Sequence, residues 1–291
     1  GSGIDALLAA EAGAVARAAA KRCGASLSAD GEGGRQGRAR GVAWVCQRLA
    51  HPHVTGEAAQ VLLGVAGALL EQADEGLKTL GARMAGHVIR HLDRTELRWN
   101  EALVVLPLRG ALHCRDILFL AQALPALVSA AVTIDGTTGG GVRPLEILER
   151  VLEDGLAENR GGARVEYIRA AAALWDHLGA SATAHLTNCI QLASDGVESS
   201  DKASARAALD LLRITAETCW PRTHAHMSVY LQVILRAHLE HDPACQAEAI
   251  AVLLPLRSAH PASFDAAAAP AFHIPKVRAL LERLRVEEPC L

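Results

Sequence analysis

Aromatic side chains are scarce in this chain: four Trp, two Tyr and three Phe make up 3% of its 291 residues. Sheets draw much of their packing from rings and β-branched residues, so a core built from Ala, Leu and Val argues against a β-rich fold. Sustained alternation of apolar and polar residues is missing as well, which leaves no predicted strand. Paired cysteines are lacking. Cys23, Cys46, Cys114, Cys189, Cys219, Cys245 and Cys290 stand far apart with no CxxC and an odd total, a pattern that predicts buried, reduced thiols in an intracellular protein rather than a disulfide framework or a zinc site. An excess of one charge is lacking too. With 29 basic and 32 acidic residues interleaved along the chain, the net charge is -3, and binding of nucleic acid through a general basic field is not expected. Gly1-Ser2-Gly3 reads as a cloning remnant, followed at once by an Ala-rich helical pattern from Ile4 with no charged-then-apolar leader, so the chain is expected in the cytoplasm.

Catalytic signatures are equally thin. There is no G-x-x-x-x-G-K-[ST] segment, no G-x-S-x-G elbow and no H-E-x-x-H helix. The run Gly31-Glu32-Gly33-Gly34-Arg35-Gln36-Gly37 misses a dinucleotide fingerprint by one position, follows no strand, and reads as a loop. Thirteen histidines call for a metal check. His224 and His226 stand two apart and point in different directions on a helix, whereas His238 and His241, followed by Asp242, have i, i+3 spacing but no second ligand cluster. The expectation is polar residues near helix ends, where they complement the helix dipole; a helical metal-dependent hydrolase using His238, His241 and Asp242 is the weaker alternative. Glu71 with Asp74, and Glu287-Glu288, read as solvated carboxylates. Arg35, Arg38 and Arg40 read as a solvated linker, since no aromatic platform interleaves them. No metal, cofactor or catalytic group is therefore expected.

What the chain has is helical periodicity. Leu145, Leu148, Leu152 and Leu156 recur at helical steps with Glu146, Glu149, Arg150 and Glu153 on the other sides. Ala205, Leu209, Leu212 and Ala216 form a second such face, and Val277, Leu280, Leu281 and Leu284 a third. Thr55, Thr95 and the run Ser199-Ser200-Asp201 supply candidate N-caps. Ile117 to Ile134 carries no charge and is long enough to span a bilayer, but Pro125 lies inside it and Asp116 and Asp135 flank it, so it is read as the buried layer of a helical stack. The breaks at Asp30 to Gly37 and Asp135 to Gly141 are glycine-rich and read as flexible loops or shortened segments.

About a dozen helices are predicted, in helix-turn-helix units with a period of about forty residues, the period of HEAT-type arrays. The fold expected is an all-α, HEAT-like superhelix of antiparallel helix pairs, one helical-repeat domain over residues 1–291. Pro107, Pro125 and Pro255 each sit within an apolar helical run, either bending it or starting a helix.

Two segments carry more than generic helical content. The first runs from Gly76-Leu77-Lys78-Thr79-Leu80-Gly81-Ala82 through His87-Val88-Ile89-Arg90-His91-Leu92 to Thr95-Glu96-Leu97-Arg98-Trp99-Asn100. The second runs from Ala207-Ala208-Leu209-Asp210-Leu211-Leu212 through Thr218-Cys219-Trp220-Pro221-Arg222 to Tyr230-Leu231-Gln232-Val233-Ile234-Leu235. In this order and separation they resemble the Tel-two-interacting protein two family, the smallest subunit of the Triple-T (TTT) co-chaperone complex, over about Val54 to Val286.

The resemblance implies a non-enzymatic adaptor, cytoplasmic and also nuclear. Its partners would be the large Tel-two-interacting subunit and the Tel-two protein and, indirectly, a ninety-kilodalton heat-shock chaperone and the phosphatidylinositol-kinase-related kinases whose stability the complex supports. The alternative is a generic HEAT-repeat adaptor in transport or phosphatase assembly. Arg98, Trp99, Trp220 and Arg222 are the candidate partner contacts. Each has a fold-only reading as well: Trp99 in the core, Arg98 a plain surface cation, Trp220 closing a helix against its neighbours, Pro221 opening the next one, and Arg222 lying across exposed carbonyls.

Overall fold

The computed structural model describes residues 11–27, 32–51, 53–136, 142–199 and 201–286, and every element among them is helical. They fall into two compact units that divide after Gly136, at the second of the two glycine-rich breaks.

The first unit contains α1 (Ala12–Leu27), α2 (Glu32–Arg48), α3 (Gly56–Leu70), α4 (Glu75–His91), α5 (Arg94–Trp99), α6 (Glu101–Ala111) and α7 (Ile117–Asp135). Consecutive helices pack side by side as α1 with α2, α3 with α4 and α6 with α7, and the short turns at 71–74 and 112–116 make the last two pairs antiparallel. Each pair also packs on the next: α1 on α3 and α3 on α6 form one layer, α2 on α4 and α4 on α7 the other. The second unit repeats the plan with α8 (Val142–Ala157), α9 (Gly161–Leu178), α10 (Leu186–Glu198), α11 (Lys202–Thr218), the single turn α12 (Trp220–Thr223), α13 (Met227–Glu240), α14 (Pro243–Ala259), α15 (Pro261–Ala268) and α16 (Pro275–Val286). Here α8, α10 and α13 make one layer and α9, α11 and α14 the other.

The apolar faces read from periodicity bury as expected. Ala205, Leu209, Leu212 and Ala216 are core residues of α11, and Val277, Leu280, Leu281 and Leu284 of α16. In α8 the buried stripe is centred on Ile147, Leu148, Val151 and Leu152, with Leu145 and Leu156 at its half-exposed edges. Pro107, Pro125 and Pro255 all lie inside helices rather than at their starts. Helix α7 is long and apolar enough to cross a membrane by length and composition, and 56% of its most apolar window is buried within its unit.

Several expectations are corrected. Residues 32–37, read as a loop and linker, are the first turns of α2; packing of Ala39, Val42, Ala43 and Cys46 on one face outweighs the poor helix propensity of the glycines. Residues 1–10, 28–31, 52, 137–141, 200 and 287–291, with the expectations placed on them, lie outside the described residues, as do the side chains of Cys23 and Arg35. Thr95 is not the cap of α5, because Asp93 takes the Glu96 N–H at 2.8 Å. Thr55 stands at the N-cap of α3 without making the capping bond, while Asp201 caps α11 through Ala203 N–H at 3.1 Å.

Aspartate is the repeating cap. Asp74 opens α4, Asp116 opens α7, Asp201 opens α11 and Asp242 opens α14, each accepting a first-turn N–H. Ahead of α9, Glu158 accepts the Arg160 N–H at 3.0 Å. These five acids, at 74, 116, 158, 201 and 242, stand at the starts of α4, α7, α9, α11 and α14, 41–43 residues apart.

The polar ties between neighbouring pairs keep nearly the same interval. In the first unit His87 Nε2 meets Leu49 O at 2.8 Å, His91 Nδ1 accepts from His51 N–H at 3.3 Å and Glu96 accepts from Gly56 N–H at 3.1 Å, over separations of 38, 40 and 40 residues. In the second, Arg236 pairs with Glu198 at 2.6 Å across 38 residues, His241 Nε2 meets Val197 O at 2.9 Å across 44, and Lys202 reaches Asp242 at 3.3 Å. Gly81 shows how closely the pairs pack: a Cβ there would stand 2.8 Å from Ala66 O and 3.1 Å from Leu70 N, so α3 and α4 pack backbone to backbone at that point.

Candidate protein-docking surfaces

The first unit presents an apolar stripe on α5 and α6. Asn100 both ends α5 and starts α6; Trp99 at the end of α5 and Leu103 and Leu106 on α6 are exposed, while Leu97, Val104, Val105 and Leu108 are buried. Trp99 is 82% exposed and Leu106 64%. Trp99 is therefore not the core residue its helix suggested, because Leu97 takes the inward position and the chain turns at Asn100 before the indole can reach a neighbour. Arg98 is exposed beside it, and its guanidinium makes no hydrogen bond or ion pair among the described residues.

Beneath the far end of the stripe lies a groove of about 730 Å³ between the end of α3, the start of α4 and α6, with Leu70, Leu106 and Pro107 in its walls and Lys78 and His113 among its lining.

The second unit presents the Trp220-Pro221-Arg222 turn. Thr218 and Cys219 end α11, Pro221 sits in the first turn of α12, and buried Thr223 donates its hydroxyl to Trp220 O at 2.9 Å. Below it lies a satisfied polar network: the fully buried Trp175 donates Nε1–H to Thr218 Oγ1 at 3.0 Å, Thr218 donates to Ile214 O at 2.7 Å, and Tyr230 donates to Thr215 Oγ1 at 2.7 Å. Burial pushes the Tyr230 hydroxyl and the Cys189 thiol well up from their ordinary values.

Above this network, Trp220 is 56% exposed, its ring centroid 6.2 Å from that of His260, whose Nε2 also meets the Trp220 carbonyl at 2.5 Å. The indole thus does not close α11 by burying itself between neighbours. Arg222 is exposed, and its side chain takes no carbonyl among the described residues.

The histidine expectation is refined. His238 and His241 do not converge with Asp242 on a vacant point: His241 binds Val197 O, Asp242 caps α14 and faces Lys202, and burial lowers the His238 pKa. The Cys245 N–H first, and then Lys202, hold the Asp242 carboxyl down to about 2. Among the described residues no three His, Cys, Asp or Glu side chains cluster as a metal site would require. Cys46, Cys114, Cys189, Cys219 and Cys245 are free and buried, and burial pushes the Cys46 thiol up to about 12, which keeps it protonated and inert.

Of the four residues singled out from sequence, Arg98 and Trp99 form one surface in the first unit, and Trp220 and Arg222 another in the second. Leu103, Leu106, Lys78 and His260 were missed. The i, i+4, i+7 spacing from Trp99 was the available signal for the two leucines. No known protein family, curated protein or solved structure matches this chain.

Proposed function

We propose that the chain is a HEAT-like helical-repeat scaffold that works by binding other proteins, with no catalytic step of its own. The observation that carries this reading is the exposed Trp99–Leu103–Leu106 stripe on a framework of repeating helix pairs. A large apolar side chain left in water forgoes about 1.5–3 kcal/mol of burial, and several in a row are the mark of a surface that a partner covers. The solenoid reading rests on the acidic helix starts every 41–43 residues and on ties between pairs at separations such as 38, 40 and 44.

The partner we propose is the one implied by the resemblance to the Tel-two-interacting protein two family: the large Tel-two-interacting subunit, within a complex that also holds the Tel-two protein and supports the stability of phosphatidylinositol-kinase-related kinases in cytoplasm and nucleus. What supports it here is the outward aim of Trp220 and Arg222 on the turn that carries the resemblance. Co-expression with the large subunit should recover both chains through an affinity tag on either one. Arg222→Glu should weaken that recovery while leaving the melting temperature unchanged. Repeated failure to recover the large subunit in mild salt would remove the assignment, and a large fall in melting temperature for Arg222→Glu would return the arginine to a role in the fold.

A further inference from the structure

Histidines close the seam between the first two helix pairs. His87 and His91 lie one turn apart at the end of α4, with ring centroids 4.7 Å apart, and both reach the chain that leaves α2: His87 Nε2 meets Leu49 O at 2.8 Å, and His91 Nδ1 accepts the His51 N–H at 3.3 Å. The two bonds answer acid differently. A ring nitrogen facing a carbonyl oxygen is a donor, so His87 keeps its bond when the ring gains a second proton. A ring nitrogen facing an amide N–H is an acceptor, and a proton on His91 Nδ1 sets two donors against each other.

The surroundings do not welcome that proton. Burial first, then His87, Arg90 and His51, disfavour a charged His91. None of the carboxylates on the elements packed against α4 is among the groups that act on the ring: Glu57 of α3 pairs with Arg17, Glu96 of α5 holds the Gly56 N–H, and Glu101 of α6 and Asp135 of α7 do not reach it. The end of α2 that runs to the seam carries Arg48, another cation. The second unit closes its corresponding contacts without such a lone pair, through the Arg236–Glu198 ion pair and through His241 Nε2, which donates to Val197 O.

We propose that the first seam is an acid-released latch: protonation of His91 breaks its bond to the α2–α3 turn, sets its charge against His87, Arg90 and His51, and parts α2 from α4 while the second unit stays folded. Opening bares the apolar residues that the seam covers. Cys46 of α2 is among them, fully buried with its Sγ 3.9 Å from Met84 O of α4, and it reports on the opening.

The test labels the cysteines of the whole chain with dithiodipyridine, a disulfide reagent that still reacts in acid, at pH 7.5 and pH 5.0. Each site is read by peptide mass spectrometry against an unstructured cysteine peptide at the same pH. Labelling of Cys46 is expected to rise about tenfold in acid, the size of one lost hydrogen bond, while Cys189 and Cys219 of the second unit stay protected. His91→Gln, whose amide oxygen can accept the same N–H at either pH, should keep Cys46 protected at both. Unchanged protection of Cys46 in acid overturns the latch, as does an equal rise at Cys46, Cys189 and Cys219, which would make the loss global. An acid rise that survives in His91→Gln overturns it too. Amide hydrogen exchange of the parent needs no variant: the peptide through Leu49 and His51 should exchange faster at pH 5.0 once the intrinsic rate is divided out, and unchanged protection there contradicts the proposal.

Discussion

Each unit carries a tryptophan at the surface near a helix end, and the two differ in what lies beneath. Under Trp220 the chain is fixed several times over: Thr223 and His260 both hold its carbonyl, Thr218 answers the buried Trp175, and Cys219 fills the core. Trp99 stands at the end of α5, whose Asp93 cap and Glu96–Gly56 tie lie a turn away, and Asn100 closes the helix by donating its side-chain N–H to Glu96 O at 2.8 Å. Beyond it the exposed surface continues as leucine. The Thr-Cys-Trp-Pro-Arg turn is therefore a structural motif whose Trp and Arg tips point outward, whereas the Trp99 stripe has no structural account and is the better candidate for a covered surface.

The comparison predicts unequal damage. The largest loss of stability is expected from Thr218→Val, which keeps shape but leaves the buried Trp175 N–H without an acceptor, at a cost of about 2 kcal/mol measurable by chemical denaturation. A result near zero would mean that the network under Trp220 is not what fixes the turn.

Acid should produce a smaller loss. Burial first, then the charges of His87, Arg90 and His51, hold the His91 pKa below its ordinary value, so the folded chain resists its protonation. Between the folded and unfolded pKa values the unfolded chain binds more protons. The contribution is thus complete above about pH 6.5 and is lost as pH falls from there through the folded value. The melting temperature should drop between pH 7.5 and 5.5, and His91→Gln should flatten part of that slope. An unchanged slope would place the acid sensitivity elsewhere, His238 being the next group with a lowered pKa.

Smaller still is the expected effect of Trp220→Ala, about 1 kcal/mol, since the indole keeps a half-buried face toward His260. Trp99→Ala should fall within about 0.5 kcal/mol of the parent. If Trp99→Ala proves the more damaging of the two, the contrast drawn between the tryptophans is reversed.

The all-helical character and the buried faces of α11 and α16 were legible because each rests on local spacing, whereas spacing alone left Pro107, Pro125 and Pro255 open between a bend and a helix start. What escaped was set by tertiary context. The glycines of residues 33–37 are helical because α2 is held by its packing face, which no propensity scale weighs. The period near forty is legible in the helix-turn-helix units, whereas the acids at 74, 116, 158, 201 and 242 that stand at that spacing show only once the helix starts are placed. Trp99 was expected inside because rings usually pack, and only the turn at Asn100 shows that it cannot. Lys78 was visible as a residue but not as a buried cation, since its burial depends on α6, some thirty residues further along the chain.

The most direct test of the scaffold account is association of the purified large Tel-two-interacting subunit with the parent chain and with a Trp99→Ala, Leu106→Ala double variant, measured by calorimetry. The account predicts a complex for the parent, at least a tenfold loss of affinity for the variant, and closely matched melting temperatures. Equal affinities, or no heat of binding to the parent, would contradict it.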